Sequence, residues 1–286
     1  MNTKGVERPL LGVSLVIFAE SILVVTGILI REMGSDIAVA QLVFLRNALG
    51  LIFMLVLLGF QRDISLVTHR LGLHFLRALL GVSAMSCLYY GWTHLPLGTA
   101  AVLKQTAPLF MPLLALWFLR ESINPILRWT LPIGFLGVAL IAQPSDTRIQ
   151  IALLIGLAGA ILGASAKIAI RKMRDTEPSR RIVLYFALFA SLLSAPFAFG
   201  DWISLDTWQW LGVTAISGLS TLAQLAMTRA YHNAPAGFLG PFTYSSVFIA
   251  TFLGWALWEE RLDLLTLGGM CLILAGGVLT ARAKSS

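Results

Sequence analysis

Six ionisable side chains interrupt otherwise apolar stretches of this chain: Glu20, Arg46, Arg77, Lys104, Lys167 and Arg229. A charge at the centre of a lipid-spanning helix costs about 2.5–3.5 kcal/mol on insertion scales, so each must pair, neutralise or face water. Glu20, Arg46 and Lys104 fall deepest within their apolar runs. A carboxylate among cations can be a packed ion pair, or the polar floor of a cavity that contacts a small charged molecule. Glu20 is also the proton-linked candidate, because a buried carboxyl beside a cation can exchange a proton when its surroundings change. Arg46 is a second candidate charge partner. Arg77, Lys167 and Arg229 lie close to span ends, where long side chains snorkel to the interface, and they read as interfacial anchors.

Lys104, Pro108 and Pro112 are spaced four residues apart, so they share one face of a helix. Pro108 lacks the N–H that would bond the Lys104 carbonyl, and Pro112 does the same to Pro108. Freed carbonyls beside a lysine let a helix bend and offer polar backbone to a cavity. Later in the chain Pro241 frees the carbonyl of Gly237 in the same way. Pro108, Pro112, Gly237 and Pro241 are therefore the candidate helix breaks, although proline also serves packing alone in membrane helices. Tyr90, Gln105 and Tyr244 complete the candidate substrate contacts with Glu20 and Lys104. Tyrosines near span ends often belong to the interfacial belt, and Tyr244, placed inside a span, is the stronger of the two.

Enzymatic and metal chemistry find little support. His69, His74, His94 and His232 are scattered without metal-ligand spacing, and no HExxH, GxSxG or paired-carboxylate pattern occurs. The chain reads as a non-enzyme without cofactor or metal. Cys87 and Cys271 sit in apolar runs and read as small hydrophobes. Gly156, Gly159 and Gly163, like Gly268, Gly269, Gly276 and Gly277, form small-residue stripes suited to close helix packing.

The elements that position these residues are lipid-spanning helices. Hydrophobic residues make up 57% of the 286 residues and charged ones 12%, half the usual charged share of about 25%, so a soluble fold could not hide the apolar surface. Ten stretches are long and apolar enough to span: Pro9–Ile30, Ile37–Phe60, Leu71–Trp92, Leu97–Leu119, Pro125–Gln143, Ile149–Ile170, Ile182–Phe199, Leu205–Ala230, Ala236–Trp258 and Leu262–Ala281. Alternating barrel strands would be shorter, so an all-α integral membrane fold is expected. Lys4, Arg8, Arg62, Arg70, Arg120, Arg128, the run from Arg171 to Arg181, Arg282 and Lys284 fall on one side, against Arg31, Arg148 and Arg261 on the other. The positive-inside rule then puts both termini of this multi-pass membrane protein in the cytoplasm. This placement also explains the net charge of +7 without nucleic acid.

The second half repeats the first. LPLGTAAVLKQTAPLFMPLLALWFLRE, Leu95 to Glu121, is echoed by APAGFLGPFTYSSVFIATFLGWALWEE, Ala234 to Glu260. At an offset of 139, Pro96 meets Pro235, Gly98 meets Gly237, Gln105 meets Tyr244 and Glu121 meets Glu260. Residues 1–143 and 144–286 are thus expected to be two five-helix repeats. Five is odd, so the halves must point in opposite directions, an arrangement that permits alternating access.

These tracts resemble the drug/metabolite transporter superfamily in its ten-helix EamA-type exporter branch. The resemblance is carried by YYGWTHLPLGTAAVLKQTAPLF and LWFLRES, and again by RAYHNAPAGFLGPFTYSS and LWEERL. Pro96, Gly98, Pro108 and Glu121 match the branch's pattern, as do Pro235, Gly237 and Glu260; Val247 departs from it by replacing the second proline, and Glu20 and Lys104 are not general features of it. The resemblance implies export of small metabolites through a cavity bounded by helices 1, 3, 4, 6, 8 and 9. Amino-acid exporters that handle aromatic and other neutral amino acids are the preferred comparison. The expected partners are a small-molecule substrate, the lipid bilayer and protons, with the protein a monomer or weak homodimer. The rivals are a carrier of anionic phosphorylated metabolites or nucleotide sugars, and a membrane enzyme or assembly factor without transport.

Overall fold

The computed structural model describes residues 9–59, 67–107, 109–110, 113–114, 127–141, 147–173, 176–233 and 239–283, and contains no strand among them. The described helices are α1 (Pro9–Met33), α2 (Val39–Gly59), α3 (Leu71–His94), α4 (Leu97–Lys104), α5 (Leu127–Ile141), α6 (Thr147–Met173), α7 (Ser179–Ala198), α8 (Thr207–Asn233), α9 (Ser245–Trp258) and α10 (Leu264–Ala283). A single 3₁₀ turn, Gly240–Tyr244, leads into α9. Among the described residues six helices, α1, α2, α3, α6, α7 and α8, are long and apolar enough to cross a membrane. Phe75, Leu154, Leu192, Phe197, Phe248 and Leu264 are exposed around the outside, an apolar surface that suits lipid rather than water.

Packing is organised in helix pairs: α3 on α6, α1 on α8, α5 on α10, α2 on α7 and α4 on α9. Small residues allow the closest approaches. A Cβ on Gly159 would lie 2.7 Å from Cβ of Cys87, which seats α6 against α3. Gly137 and Gly269 each face the other's carbonyl oxygen, closing α5 on α10. Gly268, expected in the same stripe, instead faces open space.

Two ends of the bundle are defined by contacts between loops. At one, Arg31 near the close of α1 meets Glu260 just ahead of α10, and Glu260 also takes the N–H of Leu97 at the start of α4. At the other, Thr68, His74 and Arg181 converge on Glu177. Helix α1 therefore runs toward the Arg31 end and α10 runs away from it.

Two expected spans are not continuous helices. The stretch expected over Leu97–Leu119 breaks after Lys104: Gln105 and Thr106 form a turn, and both the N–H and Oγ1 of Thr106 bond the carbonyl of Leu103. The break falls four residues before Pro108, where the helical bond to the Lys104 carbonyl cannot form. The stretch expected over Ala236–Trp258 enters through the 3₁₀ turn, which has Pro241 in its first positions. Arg77 also departs from expectation. It is buried and does not reach the interface, because it lies over the ring of Phe186 on α7.

Candidate functional site

The central site is built where α1, α4 and α6 meet. Lys104 Nζ, at the last residue of α4, donates to Glu20 Oε2 at 2.8 Å. The Glu20 side chain is 4% exposed whereas that of Lys104 is 25% exposed, so the ammonium faces the open side of the pair. Lys167 on α6 lies within electrostatic reach of both and is itself exposed. Two cations and one carboxylate leave this group with a surplus positive charge.

Local sequence explains the convergence. Ala19 and Ile22 flank Glu20 and pack against Ala223 and Ala226, which holds that face of α1 on α8. A Cβ on Gly156 would lie 2.7 Å from Leu103, so the glycine lets α6 approach the end of α4. Ala107, Ala160 and Ala164 close the same contact with small side chains. Gly163 stands one turn before Lys167 and abuts Ala84 of α3.

Beside the ion pair, Gln105 joins the two interrupted segments. Its Nε2 donates to the Thr243 carbonyl at 2.9 Å and to Ser246 Oγ at 3.0 Å, and Ser246 Oγ donates to the same carbonyl. A side-chain amide thereby satisfies backbone that a regular helix would have bonded itself. Tyr244 is buried next to this link, and its hydroxyl has no hydrogen-bond partner among the described residues.

The other candidates lie elsewhere. Tyr90 is half-buried with its ring stacked on His94, centroids 3.9 Å apart, near the Arg31 end. Arg46 does not pair with Glu20; its Nη1 donates to Asn47 Oδ1 at 2.7 Å in a cleft between α2, α7 and α8. Pro108, Pro112 and Gly237 lie outside the described residues. Pro241 contributes its backbone to the 3₁₀ turn.

Two carboxylates that sequence reasoning did not single out as site residues tie the ends together. Glu260 Oε1 pairs with the Arg31 guanidinium, which also sits 4.2 Å over the Trp258 ring, and Oε2 accepts the Leu97 N–H at 2.9 Å. That N–H belongs to the first turn of α4 and has no partner within its own helix. Gly254 leaves room for the carboxylate, since a Cβ there would collide with it. At the opposite end Glu177 accepts from Thr68 Oγ1 at 2.6 Å and from Arg181 Nη1 at 2.9 Å, with His74 Nε2 at 3.5 Å. Burial pushes the Glu177 carboxyl up, but the bonds from Thr68, Arg181 and His74 outweigh it and hold the group below the usual carboxylate range. The signal for Glu260 was its repeat match to Glu121; Glu177 sits in a short polar loop and carried none.

The family model described as the EamA-like transporter family matches residues 10–143 and again 150–282. The pseudopaline exporter of Pseudomonas aeruginosa is 29% identical over 275 residues, covering 96% of each chain. A riboflavin transporter of Brucella anthropi is 25% identical over 248 residues, covering 85% of this chain and 87% of its own. An S-adenosylmethionine uptake transporter of Rickettsia conorii is 25% identical over 246 residues, covering 85% and 83%. A protein crystal structure aligns with a TM-score of 0.63 over 95% of each chain at 15% identity, which shows a shared fold.

Proposed function

We propose, since the chain belongs to the EamA-like transporter family, that it is a secondary transporter exporting small amino-acid-like metabolites across the bacterial inner membrane by alternating access. The observation that carries this reading is the Glu20–Lys104 pair with Lys167 beside it. A zwitterion suits such a group: its ammonium displaces Lys104 from Glu20, and its carboxylate takes the released Lys104 together with Lys167. An apolar substrate side chain would suit Phe110 and Leu114, which pack beside Ala107, Ala160 and Ala164, with Tyr244 and Gln105 at the side. The exchange of partners at Glu20 is also where a proton would couple to transport.

The halves 1–143 and 144–286 are read as inverted repeats with both termini cytoplasmic. The division of the family match near residue 143 supports this, as does the opposite course of α1 and α10 relative to the Arg31 end. The Lys and Arg bias supports a cytoplasmic location for the Glu177 end. In the repeat register α1 and α3 correspond to α6 and α8. The first two pack together through Gly27 on Trp92, whereas the second two have no comparable packing among the described residues. With Arg31, Glu260 and Leu97 locked together, this asymmetry supports a state sealed at the Arg31 end.

Counterflow in proteoliposomes tests the reading. Glu20→Gln keeps the shape of the side chain and removes its charge, and is expected to cut amino-acid counterflow about a hundredfold, the scale of losing a charge-assisted contact of roughly 2–3 kcal/mol. Unchanged counterflow across pH in that variant would remove Glu20 from both binding and coupling. The surplus cation favours one second reading, a substrate bearing phosphate. Phosphate esters that compete better than amino acids would establish it.

A further inference from the structure

Away from the central site, Arg46 on α2 and Arg77 on α3 are each 8% exposed and lie close enough for their charges to repel. Arg77 stacks on Phe186, its guanidinium carbon 3.5 Å from the ring centroid, and its Nε and Nη1 are buried without a hydrogen-bond partner. The stack depends on Gly81, because a Cβ there would lie 2.8 Å from the Phe186 ring and 3.1 Å from Nη1 of Arg77. Phe186 in turn lines a cleft with Arg46, Asn47, Gly50, Thr221 and Gln224. Asn47 is held by its own bond to the Val43 carbonyl, which fixes the oxygen that Arg46 uses.

No carboxylate pairs with either arginine among the described residues. Glu20 is taken by Lys104, and Glu177 by Thr68, Arg181 and His74. Arg77 keeps two buried donors free and neither guanidinium has a counter-charge among the described residues, an arrangement that is unstable unless an anion completes it. Guanidinium forks match the oxygens of carboxylate and phosphate groups, donating two parallel N–H···O bonds to each.

We propose that the cleft between α2, α7 and α8, with Arg77 of α3 stacked on its Phe186 wall, is an oxyanion-binding site, in which Arg46 from within the cleft and Arg77 from behind that wall grip one carboxylate or phosphate group. The ligand is either a soluble oxyanion or the headgroup of an anionic lipid. The site is separate from the central ion pair and does not rest on the substrate proposed there.

The full chain in nanodiscs of phosphatidylcholine separates the sources. Its melting is followed with inorganic phosphate, with succinate, and after part of the lipid is replaced by phosphatidylglycerol. Stabilisation by at least one of the three is expected, and the responding probe names the source. The apparent affinity for that probe falls by about tenfold or more in Arg77→Gln and Arg46→Gln, and by less in Arg77→Lys, which keeps the charge and loses the fork. If Arg77→Gln does not fold, Phe186→Leu keeps both charges and weakens the response several-fold. A wild type indifferent to all three probes overturns the site. So does a response that survives in both glutamine variants, or one that disappears in Lys104→Met and therefore belongs to the central pair.

Discussion

The two ends of the bundle are each tied by a glutamate, yet the two ties differ in dryness. The Glu177 side chain is 3% exposed and its partners come from α3, α7 and the segment preceding α3. Of the helices that meet there, α3 packs closely on both α6 and α7. Glu260 is wetter, at 13% exposed, and its partner Arg31 is 25% exposed. It links α1 to α4 and to the loop before α10, elements that belong to different helix pairs. A bond that water can replace suits a contact that opens and closes. A dry bond inside one packed group suits a brace. On this difference Glu177 is expected to hold the fold and Glu260 to hold one conformation of it.

Removing the brace should have the largest effect. Glu177→Ala strands Arg181 and His74 beside a dry hole, and a loss of about 3 kcal/mol in stability is expected, the scale of breaking a buried pair from one side. Thermal or denaturant unfolding in detergent reads it directly. Acid supplies a gentler version. A carboxyl held below its usual range contributes stability that is present above the unfolded value, about 4.3 for glutamate, and lost as pH falls through the lower folded value. Melting of the wild type should therefore drop on acidification through that window, and Glu177→Gln should flatten the curve. Equal slopes for the two proteins would remove the distinction between brace and gate.

The gate should move populations more than stability. Glu260→Ala leaves the Leu97 N–H and Arg31 to water, a change of about 2 kcal/mol that amounts to roughly a thirtyfold shift away from the sealed state. Cysteine labelling at a position lining the Arg31 end would report the shift as faster modification, while the melting temperature changes less than in Glu177→Ala. Slower labelling, or unfolding as severe as that of the brace variant, would show that the two ties do the same work.

How far these features could be read from sequence depends on whether they are local. The α4 break at Lys104 was legible, because Pro108 removes a specific hydrogen bond four residues back. The membrane-spanning character followed from the length of the apolar runs. Glu20 and Lys104 were legible as charges that needed a partner, though which cation Glu20 would take was not, since that depends on how α1, α2 and α4 rotate in the bundle. Arg77 was misread for the same reason. Its place near a helix end fits an anchor equally well, and only the proximity of Phe186, 109 residues further along the chain, turns it inward. Polar loops are harder still. Thr68 and Glu177 lie far apart in the sequence, and no periodicity marks a loop residue that will be buried by another loop.

The smallest expected effect sharpens the gate alone. Glu259 caps α9 with φ 53° and ψ 28°, a left-handed conformation that any residue with a Cβ adopts at a cost, and the next residue is Glu260. The cap aims Glu260 back over Gly254 toward Leu97 and Arg31. Glycine adopts that conformation freely, so Glu259→Gly should stabilise the cap by about 0.5 kcal/mol after its larger loss of chain entropy is counted. Because the cap belongs to the sealed arrangement, the gain should appear as slower cysteine labelling at the Arg31 end with little change in melting. In the background of Glu260→Ala the same glycine should have no effect on labelling, since the carboxylate it aims is gone. Slower labelling that persists in the double variant would mean that the cap closes this end by itself and that the Arg31–Glu260 bond merely accompanies closure.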